Sequence, residues 1–267
     1  MVAFGKFFSE KDVSDSGVAM DVLLPLVHTT PFDSAENILE KAKLEKRCCS
    51  EFKENLLYFF YARPAYRSKD DEVVSSESLL PVVFIVKPTE VDIKRAYPFD
   101  TGAYSRYVPT HLPESGNRID YELPNDLMSV QQYVKAVCGN NWSYYHGEFK
   151  DTDELPDSII SLRKENINLH KLLEFLSAKD KRPLDDRSHT VEFMTAIDLE
   201  FSGKLLAVVA PDIYRNHSNL TKVLRDNDAA FYPYSYYRSH GVKEYVGSVF
   251  EATKKYYIDY GYLEEVS

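Results

Sequence analysis

The chain has 267 residues, of which 44% are hydrophobic and 13% aromatic, a composition that supports a folded core and excludes general disorder. Its net charge of -10 argues against broad electrostatic binding of nucleic acid, which needs a basic surface. Twenty tyrosines and fifteen phenylalanines against one tryptophan favour a sheet-rich α+β fold, because aromatic residues prefer strands.

The cysteines and the hydropathy pattern indicate the compartment of the protein. Cys48 and Cys49 are adjacent and Cys138 stands alone, so their spacing predicts neither a disulfide framework nor a zinc site. No apolar run approaches the length of a membrane span, and the first residues lack the apolar region of a signal peptide. We therefore expect a cytoplasmic protein with reduced thiols and no membrane partner.

Three strands and one helix are predicted in the first third of the chain. A leading strand is expected at residues 18–30 and a capped helix at residues 33–46. An aromatic strand follows at residues 56–62. The apolar run at residues 80–86 predicts the clearest buried strand of the chain.

The rest of the chain adds helices and two late strands. Residues 88–125 carry turn signals, and an irregular stretch of this length inside a compact domain is often functional. The later predicted elements are helices at 126–137 and 157–178, strands at 190–197 and 204–209, a helix at 211–225, an aromatic segment at 231–237 and a closing helix at 242–260. Because the strands show no βαβ rhythm, this order indicates an α+β fold and not a doubly wound sheet.

Polar side chains accompany three of the predicted strands. His28 and Thr29 close the first strand. Arg63 follows the aromatic strand, and Glu192 lies within a late one. Beside apolar neighbours such groups cost free energy unless each has a partner or a task. The structural alternatives are a hydrogen-bonded strand-end histidine, an arginine paired with a surface acid, and a glutamate on the polar side of an amphipathic strand.

The segment from Tyr97 to Gly102 reads Tyr-Pro-Phe-Asp-Thr-Gly and predicts a rigid turn. We expect Gly102 to use a positive φ there. Asp100 is then a candidate for orienting a ribose or a catalytic side chain. The alternative is an ordinary turn without a functional role.

The order of three segments resembles that of the NAD-dependent ADP-ribosyltransferases, and most closely the DarT-type enzymes that modify nucleic-acid bases. A His-Thr pair ends one strand, an arginine follows an aromatic strand, and a single glutamate begins a late strand. The segments are Leu26-Val27-His28-Thr29-Thr30, Leu57 to Tyr66, and His189 to Met194. This resemblance implies a single domain over residues 1–267, with a split β-sandwich core at about 20–210 and a helical extension at about 211–267.

The resemblance also implies a reaction and a role for each candidate residue. NAD is the expected substrate, and Glu192 is expected to stabilise the oxocarbenium that forms when the nicotinamide–ribose bond breaks. His28 and Thr29 are expected to hold the ribose and the amide. Arg63 is expected to bind the phosphates. Tyr58 and Tyr61 are expected to stack on nicotinamide, although each is also a candidate core residue.

The acceptor of ADP-ribose is the part of the function that stays open. Thr190 lies two positions before Glu192, where arginine-modifying members keep Glu or Gln, and this departure puts arginine targets in doubt. We expect a macromolecular acceptor of unknown class, in a toxin or anti-phage defence context. Double-stranded DNA is disfavoured by the overall acidity and by Asp185 and Asp186 in the expected target-facing loop. The alternatives are an NAD glycohydrolase toxin, in which water is the acceptor, and a non-catalytic interaction or sensor protein.

Overall fold

The computed structural model describes residues 22–66, 77–102, 121–151, 154, 172 and 186–264. These residues fall into two compact units. The unit that we call the His28 unit consists of the described parts of Leu24–Asp92 and Thr195–Glu265. The unit that we call the Glu192 unit consists of the described parts of Ile93–Met194, together with residues 22 and 23.

The helices and strands alternate irregularly along the chain. In chain order they are β1 (Leu26–Pro31), α1 (Phe32–Lys41), β2 (Lys43–Leu44), β3 (Arg47–Cys49), β4 (Glu54–Tyr61), β5 (Pro81–Val86), β6 (Arg95–Tyr97), α2 (Leu127–Cys138), α3 (Asn141–His146), β7 (Glu192–Thr195), β8 (Leu199–Glu200), β9 (Leu205–Pro211), α4 (Ser218–Asn227), β10 (Ala230–Tyr234) and α5 (Tyr245–Asp259). Short 3-10 turns lie at Glu77–Leu79, Pro88–Glu90, Asp186–His189, Asp212–Tyr214 and Val242–Glu244.

The His28 unit is built on a sheet with the strand order β10-β9-β5-β1-β4, and β3 pairs with β4. All of these pairings are antiparallel except that of β10 with β9. Every residue of β5 is buried, as expected for a continuous apolar run with a neighbour on each edge. Helix α5 packs against β10, β9 and β5, while α1 contacts β1, β5 and α4.

Helix α1 ends five residues before the predicted end of the helix at residue 46. Ala42 adopts a left-handed conformation, with φ 50°, and its N–H caps the helix by donating to the Ile38 and Leu39 carbonyls. Lys43 and Leu44 then pair with β8 as strand β2. Lys43 and Leu44 therefore form a strand because they pair with β8, although the local sequence pattern favours a helix there.

The Glu192 unit joins a small antiparallel strand pair to two capped helices. Strand β6 pairs with β7, so that Tyr97 lies opposite Glu192. The Asp126 carboxylate caps α2 by accepting from the Ser129 N–H at 2.8 Å. On α3, the Tyr144 hydroxyl accepts a 3.0 Å hydrogen bond from the Val191 N–H, which ties the start of β7 to that helix.

The α+β class predicted from the sequence is confirmed, since the main sheet is mostly antiparallel and helices lie between its strands. The ADP-ribosyltransferase-like split sandwich stays a prediction, and so does the single-domain interpretation. The aromatic segment at 231–237, for which no strand was predicted, contributes the edge strand β10. The predicted helix at 157–178 lies outside the described residues apart from Leu172. In the described part of the chain no helix is long and apolar enough to cross a membrane.

Candidate functional site

A cavity of about 290 Å³ lies in the His28 unit where strands β1 and β4 separate. Strand β1 pairs with β5 along its whole length, but with β4 only at Leu26 and Val27. From His28 onward the edge of β1 that faces β4 is therefore not used for strand pairing. The cavity is lined there by residues 28–30 of β1 and 56–58 of β4, and further by α1, β2 and β3. Such a gap leaves backbone polar groups accessible to a ligand.

His28 is held in this cavity as a neutral hydrogen-bond acceptor. Its Nδ1 lies 2.9 Å from the Tyr58 carbonyl oxygen, and because a carbonyl only accepts, Nδ1 carries the proton. Burial lowers the pKa of His28 below its ordinary value of 6.5, the hydrogen bond to Tyr58 opposes this shift, and the charge of Arg47 adds to it. The ring is therefore neutral at pH 7, and Nε2 presents a lone pair.

Thr29 brings a polar atom to the cavity that lacks a partner. Its hydroxyl oxygen is buried, and it makes no hydrogen bond to any described residue. An unsatisfied buried hydroxyl costs roughly 1–3 kcal/mol, so this group is available to hydrogen-bond a ligand or a water molecule in the cavity. Tyr58, which also lines the cavity, is half-buried. The structure thus brings together three of the predicted cofactor-binding residues: His28, Thr29 and Tyr58.

A cation at the same cavity escaped the sequence analysis. Arg47 lines the cavity from β3 and is exposed, and its guanidinium forms no ion pair or hydrogen bond with any described residue. Lys43 also lines the cavity, but its Nζ lies 3.3 Å from Glu45 and 3.7 Å from Asp198. Among the described residues that line the cavity, Arg47 is therefore the cation that is open to an anion. Its strand has only three residues, too short for a periodic sequence signal.

The other predicted cofactor-binding residues of this unit lie away from the cavity lining. The Tyr61 hydroxyl accepts from the Leu24 N–H at 3.1 Å. Arg63 is 3% exposed, and its guanidinium lies over the Phe250 ring of α5 at 5.7 Å. Both side chains therefore belong to the packed end of β4. Their assignment to NAD stays a prediction.

Glu192 lies in the Glu192 unit, at the start of β7. Its side chain is 3% exposed, and Oε2 accepts from the Thr101 backbone N–H at 3.0 Å and from the Thr101 hydroxyl at 2.7 Å. Two donors on one oxygen fix the orientation of the carboxylate. The structure thus gives Glu192 a fixed orientation, while the other five predicted site residues belong to the His28 unit.

The turn before Thr101 differs from its predicted form. Gly102 does not adopt the expected positive φ. The described glycines with a positive φ are Gly139, Gly147, Gly203 and Gly261. A Cβ at position 102 would instead lie 3.0 Å from Asp100 Oδ1, so the position needs a small residue for space. Asp100 pairs with Arg187, and it is the next residue, Thr101, that contacts Glu192.

The chemistry of the described residues is that of hydrogen bonding and charge. Among them no group of three or more His, Cys, Asp or Glu side chains is placed to hold a metal ion. The His28 cavity combines an acceptor, an unpartnered hydroxyl, an aromatic ring and a guanidinium, which together suit a ligand with amide, hydroxyl and anionic groups. Comparison with protein-family models, with curated proteins and with solved structures finds no match for this chain.

Proposed function

We propose that the protein is an NAD-dependent ADP-ribosyltransferase, which breaks the nicotinamide–ribose bond and transfers ADP-ribose to a macromolecular acceptor. The observation that carries the proposal is the cavity at the separation of β1 and β4, with its neutral His28 and its unpartnered Thr29 hydroxyl. It coincides with the strand end at which the sequence resembles this family.

The groups of the cavity match those of the nicotinamide riboside end of NAD. The Nε2 lone pair of His28 accepts from the carboxamide NH₂, and the Thr29 hydroxyl pairs with a ribose hydroxyl. Tyr58 offers an aromatic face to the nicotinamide ring. The volume of about 290 Å³ is at the lower end of the ~300–1,000 Å³ of small-molecule pockets. We therefore assign only this end of NAD to the cavity, with the phosphates at its rim.

Arg47 is the proposed phosphate ligand. Its planar guanidinium, which pairs with no side chain in the described part of the chain, matches two phosphate oxygens at once. Arg63, which the sequence analysis favoured for this role, is buried against Phe250, and exposing it would cost that packing. Arg47 on β3, and not Arg63 after β4, is therefore the proposed phosphate contact.

Glu192 is the proposed catalytic carboxylate. When the bond between nicotinamide N1 and ribose C1′ breaks, its electron pair goes to the nicotinamide nitrogen and C1′ becomes cationic. A carboxylate held beside C1′ stabilises that charge. The acceptor nucleophile then bonds to C1′ and releases its proton. Because this interaction exists mainly in the transition state, Glu192 acts on kcat more than on NAD binding.

The first test is calorimetric titration with NAD of the wild type, of Arg47→Ala and of the matched control Arg225→Ala. Arg225 is an exposed arginine on α4 that pairs only with Asp226 among the described residues. A charge-assisted contact contributes ~1.5–3 kcal/mol, so Arg47→Ala is expected to bind NAD about ten- to a hundredfold more weakly. Arg225→Ala is expected to bind like the wild type. Absence of any NAD binding by the wild type would instead favour a non-catalytic sensor.

The second test is nicotinamide release by the wild type and by Glu192→Gln, which removes the charge but keeps an acceptor for Thr101. We expect kcat to fall by orders of magnitude while the affinity for NAD changes little. Unchanged turnover in a folded Glu192→Gln variant would end the assignment. In a cell lysate with labelled NAD, label on nuclease- or protease-sensitive material identifies a transferase. Free ADP-ribose without labelled macromolecules identifies a glycohydrolase.

A further inference from the structure

A buried hydrogen-bond network surrounds the carboxylate of Glu192. Oε2 receives both the backbone N–H and the hydroxyl of Thr101, at 3.0 and 2.7 Å. Thr101 is 2% exposed and Glu192 3% exposed, so water does not compete for these contacts. The two residues are 91 positions apart in the chain, and the Thr101 contact therefore depends on how β6 and β7 bring their ends together.

The turn that carries Thr101 is held in place by contacts with the segment that precedes β7. The Asp100 N–H donates to the Arg187 carbonyl at 3.0 Å, and the Arg187 guanidinium lies 3.5 Å from Asp100 Oδ2. Asp100 Oδ1 accepts from the Gly102 N–H at 2.6 Å. Arg187 lies five residues before Glu192, in the 3-10 turn that leads into β7. The turn after β6 is thus anchored to the segment that precedes the glutamate.

We propose that Thr101 is the positioning residue for Glu192, an inference that rests on the function proposed above. Its two donors both contact Oε2, and together they fix the orientation of the carboxylate. The same donors favour the ionised carboxylate, which is the form that stabilises a cation. Thr101 therefore orients the catalytic group without touching NAD.

A purely structural role for Thr101 makes a different prediction. A buried threonine that only satisfies a turn contributes to folding stability, and its loss leaves the kinetics of the folded fraction unchanged. A positioning residue changes kcat, and it changes the pH at which activity is lost on the acidic side. Rescue by serine, which keeps the hydroxyl, separates the hydrogen bond from the packing of the threonine methyl group.

The test compares Thr101→Val, Thr101→Ser and the control Thr253→Val in steady-state nicotinamide release between acidic and neutral pH. Thr253 is a fully buried threonine on α5 whose hydroxyl donates to the Val249 carbonyl at 2.8 Å. We expect Thr101→Val to lower kcat about ten- to a hundredfold with little change in KM. The acidic limb of its pH profile should also move to higher pH. Thr101→Ser should restore both properties, and Thr253→Val should alter neither.

Failure of this inference is distinguishable from failure of the proposed function. If the wild type releases nicotinamide and folded Thr101→Val matches it in kcat and pH profile, the positioning role is overturned. If the wild type releases none, the proposed function fails. The hydrogen bond between Thr101 and Glu192 is then tested by NMR. The Thr101 amide proton should titrate together with a carboxyl group in the wild type but not in Glu192→Gln. An amide shift that titrates identically in both proteins refutes the contact itself.

Discussion

At the scale of single residues, His28 shows how burial selects one protonation state. The ring loses hydration in the cavity, and Arg47 adds positive charge nearby, so both effects disfavour the imidazolium. The hydrogen bond from Nδ1 to the Tyr58 carbonyl is retained in either state, since Nδ1 donates in both. Protonation therefore removes the Nε2 acceptor and places a charge in the cavity.

This shift predicts a pH dependence of stability. The pKa of His28 is lowered from 6.5 in the folded protein. At pH values between the lowered pKa and 6.5, the unfolded chain therefore binds the proton more readily than the folded protein does. The stability associated with neutral His28 is fully present above about pH 6.5 and is lost as the pH falls through the folded value. We expect the free energy of unfolding of the wild type, measured in urea, to decline from pH 7 to pH 5.

His28→Asn is the matched variant for this prediction. Its side-chain amide nitrogen can donate to the Tyr58 carbonyl as Nδ1 does, but it does not titrate. The variant should therefore lose less stability than the wild type over the same pH range, and the difference between the two curves isolates His28 from the other histidines. Parallel curves would show that protonation of His28 costs nothing in the folded state.

At the scale of elements, α5 stabilises the end of β4 that pairs with β1. Ala62 follows β4 with φ 57°, its N–H donates to the Pro25 carbonyl at 3.0 Å, and its carbonyl accepts from the Tyr257 hydroxyl at 2.8 Å. A non-glycine residue in the left-handed region is strained by roughly 1–2 kcal/mol. The buried hydrogen bond from α5 thus helps to hold an unfavourable conformation directly after the end of β4 that pairs with β1.

We predict that Tyr257→Phe lowers the free energy of unfolding by about 1–3 kcal/mol, because it leaves the Ala62 carbonyl buried without this donor. Tyr260→Phe, at the residue that follows this helix, is the control, since Tyr260 is 58% exposed and its change should stay within about 0.5 kcal/mol. Urea unfolding followed by circular dichroism measures both variants. Equal midpoints for the two would mean that α5 does not stabilise the end of β4 through this bond.

At the scale of the whole molecule, charge limits the partners. The 32 basic and 42 acidic side chains give a net charge of -10, and a free arginine at one cavity does not make a basic groove. Duplex binding depends on neutralising several phosphates at once. Aromatic side chains such as those at 231–237 can still stack on one or two unpaired bases, so single-stranded nucleic acid stays open as an acceptor.

We therefore predict weak binding to double-stranded DNA. Fluorescence anisotropy with a labelled duplex at about 0.15 M salt should give a Kd weaker than the ~10⁻⁴–10⁻⁶ M typical of non-specific binders. A single strand of the same length serves as the comparison. Tight duplex binding with a steep salt dependence would show that a local basic surface outweighs the overall acidity.

The sequence by itself determined the features that depend on neighbouring residues. The α+β class follows from the scatter of strand and helix patterns, and β5 was predicted within one residue because its apolar run is continuous and Pro88 follows it. The closing helix was predicted at 242–260 and is observed as a 3-10 turn leading into α5. His28, Thr29 and Tyr58, which the resemblance to the ADP-ribosyltransferases implied as binding residues, line one cavity.

Tertiary structure alone decided the features that depend on distant residues. The end of α1 at Lys41 follows from pairing of the next residues with β8, and β10 is a strand because it adds to the edge of β9. Arg47 joins the cavity through a three-residue strand paired with β4. Thr101 reaches Glu192 through the β6–β7 pair. Local propensity carries no information about such contacts, because their free energy arises only when segments far apart in the chain are brought together.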